Sequence, residues 1–228
     1  MKETKESKYY PAKKRFLDLT LSLVLILLTM PIMFIVGIVL FAQFKQFPIF
    51  IQERGITLKS FRYKILKFRT MRQSTIFGGE NGLSDNIFYK STPEGNLTRF
   101  SNWLRKTGLD ELPQLFNVVS GKMSLIGPRP LMISDLELMQ QKYPEYYAKR
   151  ETFNCIPGVS GLWQIYGERD KGIKNLIELE TAYTKHCTIV FDVKLLFATL
   201  PIVVLANHSD SMTNKLKISE NKLFIQME

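Results

Sequence analysis

The sequence is poor in the residues that staple or metallate small folds. Its 228 residues hold two cysteines, Cys155 and Cys187, and two histidines, His186 and His208. Two cysteines cannot build a disulfide framework, and these two lack metal or redox spacing. Both are read as reduced, buried thiols. The histidines stand apart and read as structural or exposed, so no His/Cys cluster points to zinc. There is no GxxxxGK(S/T) loop, because Gly121-Lys122 is followed by Met123, and no GxGxxG fingerprint. Acidic charge is also short: 21 Asp+Glu face 31 Lys+Arg, a net charge of +10. That balance calls for an anionic partner, whether nucleic acid, membrane surface or phosphorylated substrate. Collagen, disorder and disulfide-rich toxin classes are excluded by composition, and the length suits one domain or a domain with an anchor.

Charge is missing altogether from Leu19 to Phe44. A straight helix over that block would measure about 39 Å, enough for a hydrocarbon core of about 30 Å. The block is too long for a cleaved signal peptide. Pro31 lies inside it, two residues after Thr29, and predicts a kink or break. Both flanks are basic, with Lys8, Lys13, Lys14 and Arg15 before the block and Lys45, Arg54, Lys59, Arg62, Lys64, Lys67, Arg69 and Arg72 after it. Cationic flanks prefer the cytoplasmic side. On physics alone two topologies stay open: one kinked span, or a helix that enters, turns near Pro31 and returns.

The remainder reads as α+β, mostly helical with a short β-hairpin. Pro48–Gln52 and Phe61–Phe68 have strand composition, with Glu53-Arg54-Gly55 between them. Gln73–Gly95 reads as a long loop. Helices are expected over Leu97–Lys106 and Leu112–Val119, with Pro113 in the first turn of the second. Gly127–Pro130 must be a rigid loop. Ser134–Arg150 is amphipathic, capped at Ser134-Asp135 and stopped or kinked at Pro144. Ile156–Gly167 is loop-rich, Ile173–His186 helical, and Ile189–Ala206 a buried or interfacial helix. Three regions follow: a basic N-terminus with its apolar membrane segment, 1–46, a folded domain 47–206 and a polar tail 207–228. Glycosylation tripeptides at Asn96 and Asn207 carry little weight.

The densest chemistry lies in Arg105–Gln114. Asp110 and Glu111 stand together where a helix begins. One reading is capping, with Asp110 as N-cap and Glu111 in the first turn. The other is a site. Arg105 and Lys106 lie just upstream, Arg129 sits in a Pro-Arg-Pro loop, and Lys67, Arg69 and Arg72 end the hairpin. Carboxylates among guanidinium groups suit a dianionic phosphate with a bridging metal, and a carboxylate can be a nucleophile. Asp135-x-Glu137 resembles a metal-binding pair only loosely.

Several motifs occur in order: Lys14-Arg15-Phe-Leu-Asp18, Lys67-Phe-Arg-Thr-Met71, Leu97-Thr-Arg-Phe100, Leu104–Val118 containing Leu-Asp-Glu-Leu-Pro-Gln-Leu, Met123–Pro130 containing Gly-Pro-Arg-Pro, and Pro157-Gly-Val-Ser-Gly-Leu-Trp-Gln164. From about Lys13 to Val204 the chain resembles the bacterial sugar transferases, the monotopic phosphoglycosyl transferases. The resemblance implies an enzyme of the cytoplasmic face of the bacterial inner membrane. It would move a phospho-sugar from a UDP-sugar to undecaprenyl phosphate, releasing UMP, as the first membrane step of glycan assembly such as capsule, exopolysaccharide or O-antigen. It implies Asp110 as nucleophile, Glu111 as Mg2+ ligand, and Arg105, Arg129, Lys67 and Arg69 as phosphate-binding candidates. It also implies a re-entrant helix-break-helix with both flanks cytoplasmic, anchored by Lys14, Arg15 and Pro31, and interfacial amphipathic helices. The family breaks its helix at Ser-Pro; here Met30-Pro31 stands there, and Thr29 is expected to supply the side-chain-to-backbone bond. Ile156 and Glu168 replace usual basic residues, Lys122 an acidic one, and Ser101-Asn102 a Gly-Arg. A catalytically weakened partner in a glycan-assembly complex is therefore the alternative, with a membrane-tethered nucleic-acid binder a distant third. Partners expected are the donor, the lipid acceptor, membrane lipid, and a second copy or other glycan-assembly enzymes, with no nucleic acid. The chain reads as the small, minimal form of the family.

Overall fold

The computed structural model describes residues 12–72 and 97–204. The expectations for Gln73–Gly95, the tripeptides at Asn96 and Asn207, His208 and the tail 207–228 lie outside the described residues.

Helix α1 runs Ala12–Phe44, 33 residues, or about 50 Å at 1.5 Å per residue. Its helical course is continuous through Pro31. Proline removes a single backbone donor, which the flanking turns tolerate. Thr29 Oγ1 donates to Leu25 O at 2.7 Å, the bond expected of it and one that often accompanies a bend. Lys14, Asp18, Ser22, Ile26, Met33, Val36, Leu40 and Phe44 are buried at helical spacing. Leu27, Leu28, Phe34 and Ile35 are exposed beside them. Such a broad exposed apolar surface belongs to a membrane-associated helix rather than a soluble core helix.

Strand β1 (Ile49–Gly55) pairs antiparallel with β2 (Tyr63–Phe68), Ile49 opposite Phe68 and Arg54 opposite Tyr63. The hairpin is as expected, but its turn comes later. Glu53-Arg54-Gly55 are strand because Arg54 and Gly55 also pair with Met132 and Leu131 of a short distant strand, which local sequence could not show. The connection that follows Gly55 is tied by Thr57, whose Oγ1 accepts from the N–H groups of Lys59 and Ser60.

Helix α2 (Arg99–Thr107) starts at Thr98, whose side chain accepts from Ser101 N, and ends at Gly108 with φ 72°. A 3-10 turn, Leu109–Glu111, leads into α3 (Gln114–Val119). Strand β3 (Ser124–Ile126) precedes the Gly127–Pro130 loop and β4 (Leu131–Met132). Helices α4 (Ile133–Lys142) and α5 (Pro144–Glu151) meet at Pro144. Met132, not Ser134, occupies the N-cap position of α4, with no side-chain bond. The Ile156–Gly167 segment holds more than loop: β5 (Gly158–Ser160) and α6 (Leu162–Tyr166). The sheet order is β2-β1-β4, and β3 pairs parallel with β5. That second pairing is close: a Cβ on Gly127 would lie 2.4 Å from Ile156 O. Helices α7 (Gly172–His186) and α8 (Ile189–Val204) close the fold. Helix α8 buries Asp192 and Leu195 and exposes Val190, Phe197 and Leu200, the two-sided pattern of an interfacial helix.

Both ends of α1 are fastened to these elements. Arg15 donates to Val118 O at 2.6 Å and Val119 O at 2.7 Å, satisfying the last carbonyls of α3. Asp18 accepts from Ser124 Oγ at 2.7 Å and Leu125 N at 3.2 Å. Lys14 bonds Asp192 and Ile126 O. At the other end Gln43 accepts from Thr98 Oγ1, while Leu40 and Phe44 join a core with Tyr63, Ile65, Phe68, Leu104, Leu115 and Val118. Lys14 and Arg15, expected to anchor the chain at the membrane, thus make their described bonds to protein.

Candidate active site

Asp110 and Glu111 do not cap α3. Pro113 occupies its N-cap without a side-chain bond, and the carboxylates lie one turn earlier in the 3-10 segment. Gly108 makes that possible. Its left-handed φ reverses the chain at the end of α2, so Leu109–Glu111 start a new direction. Asp110 is half-buried and Glu111 is buried.

Lys67 bonds Glu111 as an ion pair with little solvent on either side chain. Asn117 sets this meeting. Its Oδ1 accepts from Leu66 N and its Nδ2 donates to Lys64 O, both at 2.9 Å. One side chain thereby continues the ladder along the outer edge of β2 and holds α3, with its preceding turn, in register with Lys67.

Residues paired across antiparallel strands share a face. Gln52 and Arg54 on β1 therefore lie with Ile65 and Tyr63 on β2, and with Lys67 two positions on. Gln52 Oε1 accepts from Arg54 Nη2 at 3.1 Å, and Arg54 Nη1 donates to Pro130 O at 3.3 Å. Burial pushes the Tyr63 phenol up, the Arg54 guanidinium opposes this, and the Glu111 carboxylate adds to it. Arg54 thus reaches the loop bearing Arg129 from the sheet face that also carries Lys67. Tyr63 Oη is buried without a hydrogen-bond partner.

The other candidates divide. Arg105, half-buried, approaches Met71 Sδ at 3.6 Å, at the end of the Lys67–Met71 motif. Arg69 turns back along the hairpin, donating to Phe47 O at 2.9 Å with its guanidinium 5.8 Å from the Phe50 ring centre. Arg129 is half-buried, and both of its main-chain polar atoms are held by side chains, N–H by Glu180 and C=O by Arg150. Gln52, Arg54 and Tyr63 were not singled out as site residues from sequence. Their signal was the period-two alternation toward Lys67, visible only once the register is known. Among the positions that depart from the motifs, Ile156 is half-buried, Lys122 and Glu168 are exposed, and Ser101 is buried beneath Thr98.

Among the described residues no group of three or more His, Cys, Asp or Glu side chains gathers. Magnesium needs fewer, taking one or two carboxylates plus substrate phosphate oxygens. The adjacent carboxylates of Asp110 and Glu111 are hard oxygen donors of that kind, so the donor set fits.

Residues 9–206 match the family described as bacterial sugar transferase. The chain belongs to the bacterial sugar transferase family. It is therefore an enzyme of the transferase class. It is 32% identical over 211 residues to exopolysaccharide production protein ExoY of Sinorhizobium fredii, covering 86% of this chain and 87% of that protein. It is 34% identical over 199 residues to the UDP-galactose-lipid carrier transferase of Erwinia amylovora, covering 84% of this chain and 40% of that protein. Over 116 residues, 51% of this chain and 23% of the relative, it is 37% identical to undecaprenyl-phosphate galactose phosphotransferase of Salmonella typhimurium. The chain thus spans most of the first relative and less than half of the other two.

Proposed function

We propose that this sugar transferase moves a sugar 1-phosphate from a UDP-sugar to undecaprenyl phosphate, as the first membrane step of exopolysaccharide or capsule-type assembly. The observation that carries the reading is the Asp110-Glu111 pair on a turn that caps no helix, with Lys67 on Glu111. Relatives named for UDP-galactose and for undecaprenyl phosphate support the two substrates.

Asp110 attacks the sugar-bearing β-phosphorus. A carboxylate–phosphorus bond forms, the bond to the bridging oxygen breaks, and UMP leaves with the electron pair. A phosphate oxygen of undecaprenyl phosphate then attacks the same phosphorus and returns Asp110 as a free carboxylate. Arg105, Arg129 and Lys67 hold the diphosphate and offset its repulsion of the incoming carboxylate. Arg54, on the sheet face that carries Lys67, shares that task, and Arg69 stabilises the hairpin end. Mg2+, held by Glu111 beside Asp110, would add charge neutralisation at the phosphates.

The same reading places the catalytic domain on the cytoplasmic face of the inner membrane, with α1 dipping in and returning by a bend near Pro31. Both ends of α1 bind one domain, which supports keeping both ends on one side. Single cysteines at Lys13 and Gln46 test this: labelling from the same side of sealed vesicles supports it, and labelling from opposite sides overturns it.

The decisive assay is UMP release by purified chain with magnesium, undecaprenyl phosphate and one UDP-sugar from a panel. Release with one donor, lost in Asp110→Asn and in chelator, is the expected result. No release across the panel from folded protein would favour the non-catalytic partner.

A further inference from the structure

Arg150 is fully buried, the foremost of the large side chains without solvent contact. A charge in that position needs several partners, and it has them on three elements. Nε donates to Ile56 O at 2.7 Å, just past β1. Nη1 pairs with Glu180 Oε2 on α7, where both side chains are buried. Nη2 donates to Arg129 O at 2.5 Å. Glu180 closes the circuit, its Oε1 accepting from Arg129 N at 2.7 Å. Two side chains of one ion pair therefore hold the N–H and the C=O of a single residue.

That residue lies between two prolines. Pro128 and Pro130 lack N–H groups, and Pro130 restricts Arg129 to extended backbone. With its own N–H and C=O also held, the Arg129 main chain is fixed. A buried ion pair is a weak stability device, since apolar replacements of equal volume are often neutral or better. Burial pushes the Glu180 carboxyl up and the Arg150 guanidinium down, so desolvation opposes both charges. Its geometry, by contrast, is that of a clamp on one backbone unit.

We propose that Arg150 and Glu180 are positioning residues that orient Arg129 toward the diphosphate of the sugar nucleotide. The proposal rests on the reading above that Arg129 binds the donor. Through Ile56 the clamp also fixes the strand end that carries Arg54. Both cationic groups thus keep a set place before the donor arrives, the preorganisation that phosphate recognition favours.

The test uses the full chain in detergent, with UDP as the probe, magnesium present, and thermal unfolding measured alongside. Arg129→Ala should weaken UDP binding roughly 10- to 100-fold, the loss of a charge-assisted hydrogen bond. The double variant Arg150→Met/Glu180→Leu should weaken it by a similar factor in protein that still unfolds cooperatively, at a melting temperature lowered by the main-chain groups of Ile56 and Arg129 left without partners. Adding Arg129→Ala to that variant should weaken it no further, because residues acting through one group are not additive. Arg150→Lys guards against a double variant that fails to fold. It keeps the charge beside Glu180 but cannot also reach Ile56 O and Arg129 O, so UDP binding should fall there too. Wild-type UDP affinity in the folded double variant or in Arg150→Lys overturns the proposal, as do effects that multiply with Arg129→Ala. If Arg129→Ala itself binds UDP as wild type does, the donor-binding reading of Arg129 has failed, and the positioning role goes with it.

Discussion

Lys14 pairs with Asp192, 178 residues away in the chain, and both side chains are buried. Tyr183 Oη donates to the other oxygen of Asp192 at 2.8 Å and lies 3.1 Å from Ile126 O, the carbonyl that also receives Lys14. The start of α1, the end of β3, α7 and α8 are thereby joined at one polar knot inside the protein.

That knot should respond to pH. Burial raises the Asp192 carboxyl, and Lys14 only partly opposes it. Its folded-state value therefore lies above the ordinary 3.8. Stability from this group is whole below the ordinary value and is lost as pH rises through the raised one. Asp192→Asn has no such loss. Its melting temperature relative to wild type should rise as pH climbs above about 4, by roughly 2–4 °C per kcal/mol in a chain of this length. A difference that stays flat over that climb would show that Asp192 does not titrate there.

Lys67 pairs with Glu111 at the candidate site. Lys67→Met should lower UMP release by about two orders of magnitude, the effect of removing one aimed donor. Lys67→Arg should recover part of it. Circular dichroism checks that both variants are folded. Full activity in Lys67→Met would remove Lys67 from the phosphate-binding set.

Gly127 has no room for a side chain. A methyl group would meet Ile156 O at 2.4 Å and Gly158 N at 2.7 Å, both backbone atoms that cannot swing aside. Gly127→Ala should destabilise the protein by about 1–3 kcal/mol or more, as overpacking does. It should also lower activity, because the displaced loop carries Arg129. Chemical denaturation and the transfer assay read the two effects.

Cys155 and Cys187 are both buried, their sulfurs 4.0 Å apart. The neighbouring Cys187 sulfur, and then burial, push the Cys155 thiol well above its usual range. Thiolate is the reactive form, so a maleimide should label the native protein slowly and both cysteines readily after denaturation. Fast native labelling at Cys155 would contradict this packing.

The chemistry was more legible than its support. The Asp110-Glu111 pair and the arginines near it stand in short contiguous motifs, and α2, α7 and α8 follow from helical periodicity within a few residues. The extent of β1 was not legible, because Arg54 and Gly55 are held in strand by Met132 and Leu131, far along the chain. Arg150 and Glu180 stand 30 residues apart on two predicted helices, with no local motif to join them. Only tertiary packing brings them to Arg129. The continuous course of α1 past Pro31 depends likewise on bonds that neighbouring turns supply.

Helix α1 supplies Leu40 and Phe44 to the protein core and Asp18 to the β3 backbone. The same helix exposes Leu27, Leu28 and Phe34 to its surroundings. Anchor and interior are thus one element. Deleting it to obtain a water-soluble enzyme would strip the core, take Asp18 from Ser124 and Leu125, and take Lys14 from Asp192. A change that loosens this helix therefore touches membrane contact and interior packing at once.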